Sequence, residues 1–150
     1  NAEQDERHAR ANEFELGVVQ HIHQLLAGSG SMQTEQELRA ERPGKTPDAL
    51  LEPPGVLVGG QWVRWIDAKS GFGTGLSIPV SRSLRSQARC YAEKWGRGAL
   101  IFRDGFAAAL AAQLQEFAVL VDWSRVRPED CPGVVERPRV FDAAGPAEGL

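Results

Sequence analysis

Two acids and a lysine near the middle of the chain have the types and the spacing for phosphoryl chemistry. Asp48 follows Thr46-Pro47; nineteen residues on comes Asp67 and, two further, Lys69. Hydrolysis of a phosphodiester needs a bound divalent ion, an activated water and a cation near the charge that develops at phosphorus. Mg²⁺ takes hard oxygen ligands in an octahedron, from one or two carboxylates and several waters. Asp48 and Asp67 on neighbouring strands would supply the carboxylates, the Ala68 carbonyl is a further oxygen, and Lys69 is the cation that orients water or meets the developing charge. Glu15 is a third acid, on the stripe of an N-terminal helix with Val19, Ile22 and Leu26. A glutamate on an apolar face is costly unless it is paired or bound to metal. The plainer readings of these residues are a strand-end salt bridge between Asp67 and Lys69, and a Glu15 that lies at the edge of its stripe.

The elements that must position these groups are legible in the periodicity. Phe14, Val18, Ile22 and Leu25 predict a helix from Glu3 to about Ala27, stopped by Gly28-Ser29-Gly30-Ser31. Thr34 to Leu38 is a candidate helical turn capped by Thr34. Ala49–Leu51 suits a strand, and Val56–Val58 with Gln61–Lys69 reads as a hairpin turned at Gly59-Gly60. In that second strand Val63, Trp65, Asp67 and Lys69 share one face, so an acid and a lysine two residues apart point the same way. A flexible loop marked by Gly71, Gly73 and Gly75 follows, then a helix over Ser81–Trp95, a strand over Ala99–Phe102, a helical run Phe106–Phe117 and an extended Ala118–Trp123. Gln87 and Tyr91 stand one turn apart on the second helix, where they can reach a metal-bound water or a nucleic acid, or sit as core and rim. The fold class expected is α/β, a mixed β-sheet flanked by helices in the order αβββαβ. Residues 1–127 form the expected domain and 128–150 an irregular tail.

Composition narrows the classes. A net charge of −3 excludes binding of nucleic acid by bulk charge, but Arg82, Arg85, Arg89, Lys94, Arg97 and Arg103 face a single acid, Glu93, between Ser81 and Arg103. That is compatible with phosphate contacts, from Arg85 and Arg89 in particular, and equally with a solvated helix face. No apolar run reaches the roughly 18 residues needed to span a bilayer, and Asn1–Arg10 lacks the apolar segment of a signal peptide. Cys90 and Cys131 make no disulfide framework; Cys90, on a helix, is expected as a buried free thiol, which points to an intracellular, reducing setting. His21 and His23, two apart on a helix, diverge and do not form a zinc site. Gly71-Phe72-Gly73-Thr74-Gly75 lacks a clean dinucleotide-binding pattern.

Taken together, Glu37-Leu38-Arg39-Ala40, Lys45-Thr46-Pro47-Asp48, Trp65-Ile66-Asp67-Ala68-Lys69-Ser70 and Phe72-Gly73 resemble the TPD-motif family, within the PD-(D/E)xK nucleases. Gln87, Tyr91 and the Gly96-Arg97-Gly98 turn agree in kind, and the likeness runs from about Glu13 to Phe106. The resemblance implies a restriction-endonuclease-like fold and a Mg²⁺-dependent (or Mn²⁺-dependent) nuclease whose site is Glu15, Asp48, Asp67 and Lys69. Nucleic acid is the expected partner, with a protein partner or a homodimer a further option. The alternative is a catalytically silent nuclease fold that serves as a binding module in a larger assembly.

Overall fold

A computed structural model of the chain describes residues 1–26, 31–42, 44–74, 78–125 and 139–140. Helix α1 (Ala2–Leu25) opens on Asn1, whose side-chain oxygen accepts from the Gln4 N–H at 2.9 Å. It buries Phe14, Val18 and Ile22, the four-residue spacing of one helical face. Strand β1 (Met32–Thr34) runs straight into α2 (Glu35–Glu41), with Thr34 as the cap and Leu38 fully buried. Then come β2 (Ala49–Leu51), β3 (Val56–Val58), β4 (Gln61–Val63), β5 (Trp65–Lys69) and α3 (Ile78–Trp95). Strand β6 (Gly98–Phe102), α4 (Ala108–Leu114), β7 (Ala118–Asp122), a 3₁₀ turn (Trp123–Arg125) and β8 (Arg139–Val140) complete the described elements.

The molecule is a mixed α/β fold. Its main sheet has the order β1-β2-β5-β6-β7, with β1, β2 and β5 antiparallel and β5, β6 and β7 parallel. The parallel strands are almost wholly buried, which is why they read as continuous apolar runs rather than as alternation. One face of the sheet (Ile66, Ala68, Ala99, Ile101, Val119) packs on α1 and on a small second sheet, β4-β3-β8. The opposite face (Trp65, Leu100, Phe102, Leu120) packs on α2, α3 and α4 through Leu38, Tyr91 and Leu110.

Four sequence expectations change. Gln61–Lys69 is not one strand, because the chain turns out of the hairpin at Arg64. That residue's N–H donates to Arg97 O at 2.8 Å, and its Nε donates to Leu51 O at 2.7 Å. Strand β4 therefore stays with β3, while β5 enters the main sheet. Val63 consequently packs with Ile66 and Ala68, and the expected alternation holds from Trp65 onward. Strand β1 was not expected, and it stands between α1 and α2 in the αβββαβ order. Within the expected irregular tail, Arg139–Val140 pair in parallel with Leu57 and Val58. Cys90 is a free thiol but half-buried, next to the buried Tyr91 on α3. The Gly28–Gly30 stop, Gly75, Cys131 and the rest of the tail lie outside the described residues.

The Gly59-Gly60 turn behaves as read: both residues have positive φ, 54° and 76°, as a tight two-residue hairpin requires. The Gly71–Thr74 loop, expected to be flexible, is held by backbone bonds at Gly71 and at Gly73.

Candidate active site

Antiparallel register sets Ala49 opposite Ile66 and Leu50 opposite Trp65, which brings Asp48, one step before β2, level with Asp67 near the end of β5. The Ala68 N–H donates to Asp48 Oδ2 at 2.7 Å and orients that carboxylate. Both acids are buried, at 8% and 6% exposure. Lys69 follows on the face of Asp67; its ammonium lies 2.7 Å from Asp67 Oδ2 and donates to Gln87 Oε1 at 2.8 Å. Gln87 thus reaches the site from α3, one turn ahead of Tyr91. Glu15 arrives from α1, and these residues line one open cleft of about 280 Å³.

A residue that the sequence reading passed over completes the group. Glu35 is the first residue of α2, and its N–H donates to Asp48 O at 3.2 Å. Carboxylate oxygens of Glu15, Glu35 and Asp48 all lie within 4.8 Å of one another. A signal was present: Glu35 precedes the buried Leu38 by three residues, so both face the same way on the helix. The cap at Thr34 was legible. That the cap aims the next residue at Asp48 depends on the pairing of β1 with β2.

Electrostatics in the cleft are those of crowded acids. Burial pushes the Asp48 carboxyl up to about 8, helped by the Asp67 charge and opposed by the Ala68 N–H. Burial also raises Asp67, with Lys69 pulling the other way. Glu15 is raised by burial first, then by Glu35 and Asp67. Lys69 and Arg39 offset only part of this negative charge, and hard carboxylate oxygens at this spacing suit a divalent cation. Two hydroxyls of the cleft wall, Thr46 Oγ1 and Tyr91 OH, are buried without a hydrogen-bond partner among the described residues, a costly condition that a polar ligand in the cleft would relieve. The residues present fit a metal ion.

Arg85 and Arg89 are not gathered with the others. On α3, Arg85 lies 3.4 Å from Glu116 Oε1 and over the Phe117 ring, and Arg89 pairs with Glu93 at 3.0 Å. Both side chains are at least half-exposed and lie outside the cleft wall. Lys45 and Arg39, quoted above only as parts of motifs, do line the cleft.

The family described as "Protein of unknown function TPD sequence-motif" matches residues 2–123, a span that takes in every element from α1 to the start of the 3₁₀ turn and all the cleft residues. The chain belongs to the TPD-motif family. Among curated relatives, CDAN1-interacting nuclease 1 of Danio rerio is 35% identical over 88 residues, 59% of this chain and 28% of that protein. The Homo sapiens protein of that name is 34% identical over 104 residues, 69% of this chain and 35% of the relative. The Xenopus tropicalis one is 31% identical over 116 residues, 77% of this chain and 36% of the relative. The chain thus spans about a third of the length of the curated relatives it matches. Their name describes those proteins as nucleases that interact with CDAN1. No solved structure matches the chain.

Proposed function

We propose that this chain is the catalytic domain of a metal-dependent nuclease, of restriction-endonuclease-like, PD-(D/E)xK character. The observation that carries the reading is convergence. Carboxylates from α1, α2, the lead into β2 and the end of β5 meet in one cleft beside a lysine. Distant parts of a chain do not bring like charges together in a buried place for stability, since desolvation and repulsion both oppose it.

In this reading Glu15, Glu35, Asp48 and Asp67, with the Ala68 carbonyl, hold Mg²⁺ or Mn²⁺. When bound, the ion supplies a polarised phosphoryl oxygen and an acidified water. The protein's own groups orient and exclude. The Ala68 N–H fixes Asp48. Gln87 and Asp67 together hold the Lys69 ammonium in one place, where it meets the charge that develops at the attacked phosphate. The buried Trp65, whose Nε1 donates to Gly96 O at 2.8 Å, makes the strand under Asp67 rigid.

The test is cleavage of labelled single-stranded, duplex and flapped DNA and RNA in Mg²⁺ or Mn²⁺, beside Asp67→Ala. Loss of at least 100-fold in rate, the order expected when one preorganised electrostatic group is removed, supports the reading. No cleavage of any substrate, with no ion bound by calorimetry, would transfer the fold to the silent binding-module class.

A further inference from the structure

The edge of the main sheet that carries the carboxylates has a different group on each flank. On the β2 side stands Lys45, in the lead into the strand. It is exposed, it lines the cleft, and among the described residues no carboxylate pairs with it. The other two cleft cations are committed: Arg39 to Glu35, and Lys69 to Asp67. On the β6 side stands Phe72, three residues past Lys69, with 58% of its surface exposed.

Phe72 is presented by a rigid mount. Gly71 O accepts from Asp104 N at 3.0 Å, Gly73 N donates to Gly105 O at 2.8 Å, and Gly73 O accepts from Ala107 N at 2.7 Å. Gly73 is itself buried so closely that a Cβ there would stand 2.7 Å from the Phe102 ring. An aromatic ring held out in water by a fixed backbone leaves a π-face open for a base to stack on. Strands in a sheet lie about 4.8 Å apart, so β2 and β6 run about 10 Å apart on either side of β5, with Asp48 leading into β2 and Asp67 on β5.

Resting on the nuclease reading, we infer that the substrate is an unpaired nucleic-acid strand laid across this edge. Lys45 meets a phosphate on one side of the carboxylates and Phe72 stacks on a base on the other. A duplex hides its base faces and is held by many phosphate contacts. Among the described residues this cleft offers one uncommitted cation, on a chain of net charge −3. A single strand exposes π-faces to stack on an aromatic ring and needs fewer charges.

The full chain is tested by fluorescence anisotropy, with Ca²⁺ present, against a labelled oligothymidylate and a blunt duplex of equal length. Wild type is expected to bind the single strand more tightly. Phe72→Ala should weaken single-strand binding by about 5- to 150-fold, the range for one lost stacked base. Phe72→Trp should restore it, and Phe72→Leu, which keeps apolar area without a π-face, should not. Lys45→Gln should lower the slope of log affinity against log salt by about 0.7. Thermal melts unchanged from wild type establish that these surface variants are folded. Equal affinity for duplex and single strand, or Phe72→Ala and Lys45→Gln binding as wild type does, overturns the inference and leaves hydrolysis standing. Loss of self-association in Phe72→Ala, with single-strand binding intact, overturns it in favour of a protein contact. Phe72-dependent binding without cleavage in Mg²⁺ preserves it and removes the nuclease reading instead.

Discussion

Glu35 decides more about the cleft than its place in the sequence advertises. It sits where the first turn of a capped helix meets the backbone of Asp48, and it turns three acids into a nest of four. Glu35→Gln is expected to weaken Mn²⁺ binding by about tenfold or more, the scale of losing a group that holds or orients a metal ligand. It should also raise the melting temperature of the ion-free protein, because it removes a charge that repels Glu15, while the Arg39 pair it gives up is exposed and contributes little. Calorimetric titration and a thermal melt of one sample read both, and unchanged ion affinity would remove Glu35 from the ligand set. Asp67 and Lys69 must be judged as a pair. The double variant Asp67→Asn/Lys69→Met should abolish cleavage while the melting temperature holds or rises, since a buried ion pair replaced as a whole by neutral groups is often neutral or stabilising, whereas Lys69→Met alone should lower it, because it strands the buried Asp67 carboxylate. Rates and melts on both variants check this.

At the level of elements, the site depends on two short pieces of secondary structure and one break. The Thr34 hydroxyl accepts from the Glu37 N–H at 3.4 Å and lies 3.2 Å from the Glu37 carboxylate, a capping arrangement that starts α2 at Glu35. Thr34→Ala should cost about 1 kcal/mol, as for a lost helix cap, and should weaken ion binding as well, because the helix start aims Glu35. Urea denaturation with an ion titration separates the two; loss of stability with full ion affinity would mean that the β1–β2 pairing alone sets Glu35. The break at Arg64 matters equally. Without it, β5 would continue the β3–β4 hairpin, and neither Asp67 nor Lys69 would reach the parallel strands of the main sheet. Strand β6 packs so tightly under Trp65 that a Cβ at Gly98 would meet the indole at 1.9 Å. Gly98→Ala is therefore expected to abolish the folded state or shift its melting far down, as circular dichroism would read.

For the whole molecule, the raised carboxyl of Asp48 links stability, ion binding and pH. An ordinary aspartate titrates near 3.9, and in the folded chain Asp48 is pushed up to about 8. The folded state therefore holds more protons than the unfolded state between these values, and the ion-free protein loses stability as pH rises through that window. A divalent ion needs the ionised carboxylate, so its stabilising effect should grow over the same window. The Mg²⁺-induced shift in melting temperature is expected to be small at pH 6 and larger at pH 8.5. A shift that is constant with pH would dissociate the ion from Asp48. Much of the fold was legible in local pattern. The four-residue spacing of Phe14, Val18 and Ile22 marked α1, Gly59-Gly60 marked the hairpin, and Asp67 and Lys69 two apart at a strand end were bound to share a face. These are consequences of helical and strand geometry that act within a few residues. Which strands are neighbours is a different kind of fact. The pairing of β2 with β5 that sets Asp48 against Ala68, the split of Gln61–Lys69 at Arg64, the arrival of Glu35, and the engagement of Arg85 and Arg89 away from the cleft follow from contacts between residues far apart in the chain. Sequence by itself determined the reactive residue types and the faces they occupy. Only tertiary structure decided which of them meet, because burial and hydrogen bonding are satisfied by the fold as a whole and not by any one segment.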